Sequence, residues 1–305
     1  MFPISHIRPT PRHKLAAATP HLASAAPTQY LVLPAKLSMW LNNVDGDCVT
    51  AGEAAAKATT GVFISDDTVK AWATKNGDLN GADLDTVLTT MQTAGFEQDG
   101  NTYNDGPHTS VDWTVPATLR SAISQGPVKI GVASAQLQNV HGIGVSNGWF
   151  ATGFKTDTDE DHDTELFGYG PIGWLAQCFA VSVPEGVDAT QPGYALFTWG
   201  TVGIIDAPSL AAIVGEAWLR NPTTAIVGSS PPSPDQVSYF PAPTPAPAPS
   251  PAPVPAPPHP APATASMAQA EGWAMMGVRN HWVADSTLEQ AIQGATDGLT
   301  NHWPK

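Results

Sequence analysis

The sequence predicts an α+β fold in which an N-terminal helical half packs on an antiparallel sheet or barrel half. Three observations lead there. Helix signatures crowd the first part of residues 28–228, apolar strand patterns fill the second part, and a Pro/Ala-rich stretch follows from residue 229. Helices followed by strands, without strict alternation, indicate segregated layers and an antiparallel sheet.

The elements follow in order. GDCVTAGEAAAKA begins with a turn at Gly46 and a cap at Asp47, then runs into alanines that favour helix. SDDTVKAWATKNG predicts a short capped helix ending near Gly77. GADLDTVLTTMQTAGF is amphipathic, with Leu84, Val87, Leu88 and Met91 on one face and Gly95 placed as its C-cap. PATLRSAISQG repeats the pattern and stops at Gly126-Pro127. VKIGVAS, NGWFATGF and ELFGYG read as strands, the last two joined by the acidic run KTDTDEDHD. ALFTWGTVGIID is one strand or two, and PSLAAIVGEAWLR reads as a closing helix opened by Pro208 and Ser209.

The flanks differ in character. Residues 1–27 are rich in Pro, Ala and His without a hydrophobic period, which predicts an extended arm. Pro20 and His21 interrupt what would be the apolar core of a signal peptide. Residues 229–265 form a Pro/Ala linker of polyproline II character; its stretch 241–262 would reach about 70 Å fully extended. Residues 266–305 read as a helical tail, with Ser286 and Glu289 at capping-box spacing. Its Trp273, Met275, Met276, Trp282 and Trp303 are too few for a robust core of their own, so the tail is expected to dock on its own domain or on a partner.

A net charge of −14 with only 13 basic residues argues against nucleic acid or an anionic membrane as main partner. No run is long and apolar enough to span a bilayer. Cys48 and Cys178 are too few for a disulfide framework, and Cys178 in LAQCFAV is expected in the core. No cofactor motif or metal-ligand spacing is present. Asp157, Asp159, Glu160, Asp161 and Asp163 read as a solvated hairpin tip in preference to a Ca²⁺ site, and NGDLNGADLD as a helix N-terminus.

Chemistry centres on two segments. Cys48 opens a helix, where the positive end of the dipole favours a thiolate. His162, in DHDTELFGYG, leads into a strand that ends Gly168-Tyr169-Gly170. This order, followed by an aromatic-Thr-Trp-Gly strand at FTWG, resembles the papain-like cysteine peptidases over roughly residues 38–220. The resemblance implies Cys48 as nucleophile, His162 as base, and Asn42, six residues before the cysteine, as an oxyanion donor; Asn43 is a rival for that role.

The sequence also departs from the family pattern. Phe197 stands where the family has the Asn that orients the imidazole, although Trp199 and Gly200 keep the rest of the motif. Val49 replaces the aromatic residue after the nucleophile, and Asp47 opposes thiolate formation. Asp161 and Asp163 flank His162, should favour its protonated form, and face away from it if the strand alternates regularly. Two functions follow. One is a thiol hydrolase acting on a peptide or other amide. The other is an assembly or decoration protein with a degenerate Cys-His site, in a phage, prophage or virion setting or in the cytoplasm, meeting its partner through the arm and the tail. Bacteria and their phages carry papain-like proteins with a similar GDCV and DH…GYG layout.

Overall fold

The computed structural model describes residues 7–141 and 146–228; the expectations for residues 229–265 and 266–305 lie outside the described residues. In chain order the elements begin with α1 (Arg12–Ala17), β1 (Tyr30–Leu31), α2 (Cys48–Ala58), α3 (Asp66–Asn76) and α4 (Leu84–Met91). Next come β2 (Phe96–Gln98), β3 (Asn101–Asn104), β4 (His108–Ser110), α5 (Pro116–Ile123), β5 (Val128–Val132), α6 (Ala135–Val140) and β6 (Phe150–Ala151). The remainder is β7 (His162–Pro171), α7 (Ile172–Cys178), β8 (Pro192–Thr198), β9 (Thr201–Asp206), α8 (Ala207–Ile213), β10 (Val214–Arg220) and β11 (Ala225–Val227).

Local chemistry accounts for the helices. All eleven residues of α2 are buried, which suits a run of small side chains that lets a helix lie close to a sheet. Ser65 accepts a hydrogen bond from the Thr68 N–H to cap α3, and Gly77 closes it with φ +80°, a left-handed conformation that glycine adopts without strain. Asp83 caps α4 by accepting from the Thr86 N–H, and Leu84, Val87, Leu88 and Met91 are buried as the periodicity predicts. Gly95 is not the cap, since α4 ends at Gln92. Gly95 instead donates its N–H to Asn104 Oδ1 at 2.9 Å, and any Cβ there would strike the Tyr103 carbonyl.

Among the described residues the main sheet has the order β4-β10-β5-β7-β8-β9-β6, with β1 added to β7; a smaller sheet has the order β11-β3-β2. The pairings are antiparallel apart from β6 with β9. Alternation along β5 sends Val128, Ile130 and Val132 into a core with Leu119 and Ile123 of α5 and Leu210 and Ile213 of α8. Lys129 takes the opposite face of β5, where α2 lies.

Three expectations are corrected. Residues 214–220 form β10 and not the end of a helix: Gly215 is a poor helix former, and β10 supplies the partner that β5 needs on that side. The acidic run does not cap a hairpin, because β6 pairs with β9; Asp159 is exposed, but Asp161 accepts from Ser134 N–H at 2.8 Å and Asp163 is buried. Cys178 is exposed at the end of α7, off the face that buries Ile172, Leu175 and Ala176; neither cysteine is in a disulfide. The N-terminal arm is strapped to the domain. Ile7 is buried, Arg8 N–H donates to Ala82 O at 3.1 Å, and Lys14 pairs with Asp83 and Asp85 at 3.2 and 3.1 Å.

Gly52 marks the closest approach of α2 to β7: a Cβ there would collide with the Asp163 carboxylate and reach 2.8 Å from Lys129 Nζ. Gly52→Ala should therefore destabilise the protein by about 1–3 kcal/mol in urea denaturation, although alanine is the better helix former. An unchanged or raised stability would show that the interface yields.

Candidate active site

Cys48 is the first residue of α2 and His162 the first of β7. Cys48, His162, Asn42 and Asp47 are 2%, 1%, 3% and 1% exposed, so the region is closed to water in this form. Two contacts bring the cysteine loop and the histidine strand together. Lys129 Nζ donates to Val49 O at 3.0 Å and to Asp163 Oδ2 at 2.7 Å, touching the residue that follows each candidate. The loop before Cys48 also meets the β8–β9 turn: a Cβ on Gly200 would sit 3.1 Å from Met39 Cγ, and the Trp40 ring packs edge-on against Phe197 at 5.9 Å.

The imidazole is held on two sides. His162 Nε2 lies 2.7 Å from Thr198 Oγ1, and the ring stacks on Trp199 with centroids 4.5 Å apart and planes 13° from parallel. Among the described residues Nδ1 has no hydrogen-bond partner. When Nε2–H donates to Thr198, the Nδ1 lone pair is the basic one. The sequence places Phe197 at the orienting position, and the structure places the next residue there. Phe197 pairs across the ladder with Glu165 and packs on Phe167 in the core, which turns Thr198 to the face that His162 occupies. The turn makes this possible: Trp199 and Gly200 both have positive φ, +43° and +78°, as in the tight turns that suit a twisted hairpin.

A second imidazole, not singled out from the sequence, completes the cluster. His141 Nε2 lies 2.8 Å from Thr201 Oγ1, and its ring meets Trp149 and Trp199 edge-on at 5.3 and 5.2 Å. The only cue was a histidine at the end of an apolar strand-helix unit. Burial, with smaller contributions from His141 and Lys129, lowers the His162 pKa to about 3. The flanking aspartates therefore do not favour the protonated ring. Asp163 faces Lys129 and Asp161 faces Ser134, so neither offsets the desolvation.

Asn42 lies in the loop after Trp40 and Leu41, both with positive φ. Its amide donates to Asp45 O at 3.4 Å and Asp47 Oδ1 at 3.5 Å. Asp47 occupies the N-cap position of α2 without a side-chain capping bond, so its expected capping role is not met. Burial raises its carboxyl to about 7, with the Asn42 contact opposing the shift. Around neutral pH, then, the negative charge beside Cys48 is partly removed by protonation.

Sealed between α2 and the sheet is a charge network that the sequence reading missed. Lys129 lies 3.2 Å from both Glu53 Oε1 and Glu165 Oε1, and Arg220 lies 2.7 Å from Glu165 and 3.1 Å from Glu53. Lys57 bonds Asp105 at the far end. All seven side chains, Asp163 included, are buried. Burial alone would lower the Lys129 ammonium, but Asp163, Glu53 and Glu165 hold it well above its ordinary value. Among the described residues no group of three His, Cys, Asp or Glu could hold a metal ion, and no helix is long and apolar enough to cross a membrane.

The chain matches papain-like cysteine proteases over most of its length. The ragweed pollen cysteine protease Amb a 11, in its proform, is 12% identical with a TM-score of 0.48, covering 71% of this chain and 74% of that one. Xylellain, a cysteine protease from Xylella fastidiosa, is 12% identical with a TM-score of 0.46, covering 67% and 91%. The Carica candamarcensis protease CMS1MS2, in complex with E-64, is 14% identical with a TM-score of 0.46, covering 64% and 98%. No family model matches the sequence, and no curated protein matches it.

Asp47 gives a pH-dependent prediction. Its folded pKa of about 7 exceeds the unfolded value, so its contribution to stability is complete below about pH 4 and is lost as pH rises through 7. Asp47→Asn should equal the wild type in urea denaturation at pH 3 and exceed it by about 1–3 kcal/mol at pH 8. A constant difference across that range would contradict the assignment.

Proposed function

We propose that this protein is a thiol-dependent hydrolase of a peptide or related amide, with Cys48 as nucleophile and His162 as general base. The observation that carries the reading is the state of the imidazole: Nε2 engaged by Thr198, the ring stacked on Trp199, and Nδ1 without a hydrogen-bond partner among the described residues in a buried setting. In this reaction the Cys48 Sγ–H proton passes to His162 Nδ1 and sulfur attacks the amide carbon. The tetrahedral oxyanion would be met by the Cys48 N–H and the Asn42 amide, once that amide leaves Asp47. The imidazolium then protonates the leaving amine, and water hydrolyses the thioester with the same ring as base. With Thr198 Oγ1 accepting from Nε2–H, the basic nitrogen is Nδ1. As a neutral hydroxyl Thr198 also supports the imidazolium less than a carboxamide oxygen does, which predicts modest turnover.

A second reading is favoured by one observation, the Asn42 amide turned onto the Asp47 carboxyl beside Cys48. In it the Cys-His site is degenerate and the protein serves in an assembly, such as a virion, through residues 1–27 and 266–305.

Iodoacetamide labelling of the native protein, followed by mass spectrometry, separates the two. Although Cys178 is exposed and Cys48 is buried, the hydrolase reading predicts faster labelling of Cys48, lost in His162→Ala. It also predicts that Thr198→Val lowers the Cys48 rate by about 10²-fold. Labelling of Cys48 no faster than Cys178 would favour the assembly reading.

A further inference from the structure

We infer that Lys129 is a positioning residue for this site, its buried ammonium fixing the first turn of α2, which carries Cys48, against the start of β7, which carries His162. The inference rests on the hydrolase reading of those two residues. Its basis is the placement of one side chain. Lys129 projects from the middle of β5 onto the face covered by α2 and meets four oxygens: Val49 O at 3.0 Å, Asp163 Oδ2 at 2.7 Å, and Glu53 Oε1 and Glu165 Oε1 each at 3.2 Å. Two of the four belong to α2 and two to β7, so the ammonium acts as a joint between the helix and the strand.

Charge balance alone does not require this geometry. Arg220 already bridges Glu53 and Glu165, and at the far end of the network Lys57 holds Asp105 and Thr223 O without touching the first turn. Lys129 alone among these cations donates to a backbone carbonyl one residue from the candidate nucleophile. Gly52 leaves the space it needs, because a Cβ there would come within 2.8 Å of Nζ. The charged groups facing Lys129 are Glu53 from α2, Asp163 and Glu165 from β7, and Arg220 from β10. The pH response of Cys48 in a Lys129 variant must be read against all four.

Lys129→Met alone leaves three carboxylates short of a cation and can fail to fold. The test therefore uses the pair Lys129→Met/Asp163→Asn, which keeps the network's net charge, with Lys57→Met/Asp105→Asn as a control at the far end. Circular dichroism establishes that each is folded. The rate of Cys48 alkylation by iodoacetamide is then measured from pH 5 to 10 for both, the wild type and His162→Ala. The inference predicts a loss of at least about 10-fold at pH 7 for the Lys129 pair, with the alkylation midpoint moving up toward that of an ordinary thiol. The Lys57 pair should keep the wild-type profile even if it melts earlier. A Lys129 pair that superimposes on the wild type, or two pairs that shift alike, would overturn the inference while leaving Cys48 and His162 in place. A wild-type profile unchanged by His162→Ala would overturn the hydrolase reading and the positioning role with it.

Discussion

The structure depends most on seven charged side chains enclosed between one helix and one sheet. Glu53 and Lys57 of α2 meet Lys129 of β5, Asp163 and Glu165 of β7, Arg220 of β10 and Asp105 of the loop after β3, all buried. Such an arrangement contributes little net stability compared with an apolar core of the same volume. Breaking it is costly, however, because any lost partner strands a charge away from water. Sliding α2 along the sheet would break several of these contacts at once. The network thus trades stability for register, and the register it fixes is that of the Cys48 helix on the His162 strand.

The second constraint is desolvation around the imidazole. With Trp199 on one face, Thr198 on Nε2 and His141 nearby, the His162 ring is held neutral by its surroundings. A neutral ring can accept a proton from a thiol, yet a ring this buried accepts it poorly. Admission of a substrate and water to the site would raise the basicity of His162 as the desolvation is relieved. The protein's own arm lies beside this site: Ile7 N–H donates to Asp161 O at 3.2 Å, next to His162, and Thr10 N–H donates to Glu216 Oε1 at 2.9 Å. The closed form is therefore tied down from the helical half, through Arg8 and Lys14, to the sheet half.

Much of this was legible in the residues. Ser65 and Gly77 bounded α3, the spacing of Leu84, Val87, Leu88 and Met91 gave the buried face of α4, and the segments around Cys48 and His162 indicated chemistry by their order. What was missed was missed for physical reasons. Matching FTWG to a motif residue by residue put Phe197 at the orienting position and left the imidazole without a polar partner; the alternation of side chains across the β8 ladder sets Thr198 against it. Glu53 and Lys57 drew no reading of their own, yet every position around them in GEAAAKA is small enough to be buried, and that was the available signal. The run after Pro208 read as one helix because α8 and β10 join without a loop, and only the pairing of β10 with β5 separates them. The N-terminal arm has no hydrophobic period, and its attachment comes from single contacts that no pattern displays.

The chemistry proposed for the site requires that folding set the Cys48 thiol within reach of the His162 imidazole. A short bifunctional alkylating agent such as 1,3-dibromoacetone probes that distance: sulfur reacts first, and the second arm can capture only a nucleophile a few ångströms away. The expected product is a three-carbon bridge between the Cys48 and His162 peptides, identified by mass spectrometry after digestion of the treated native protein. A bridge from Cys48 to any other residue, or mono-alkylation of Cys48 with the imidazole untouched, would contradict it.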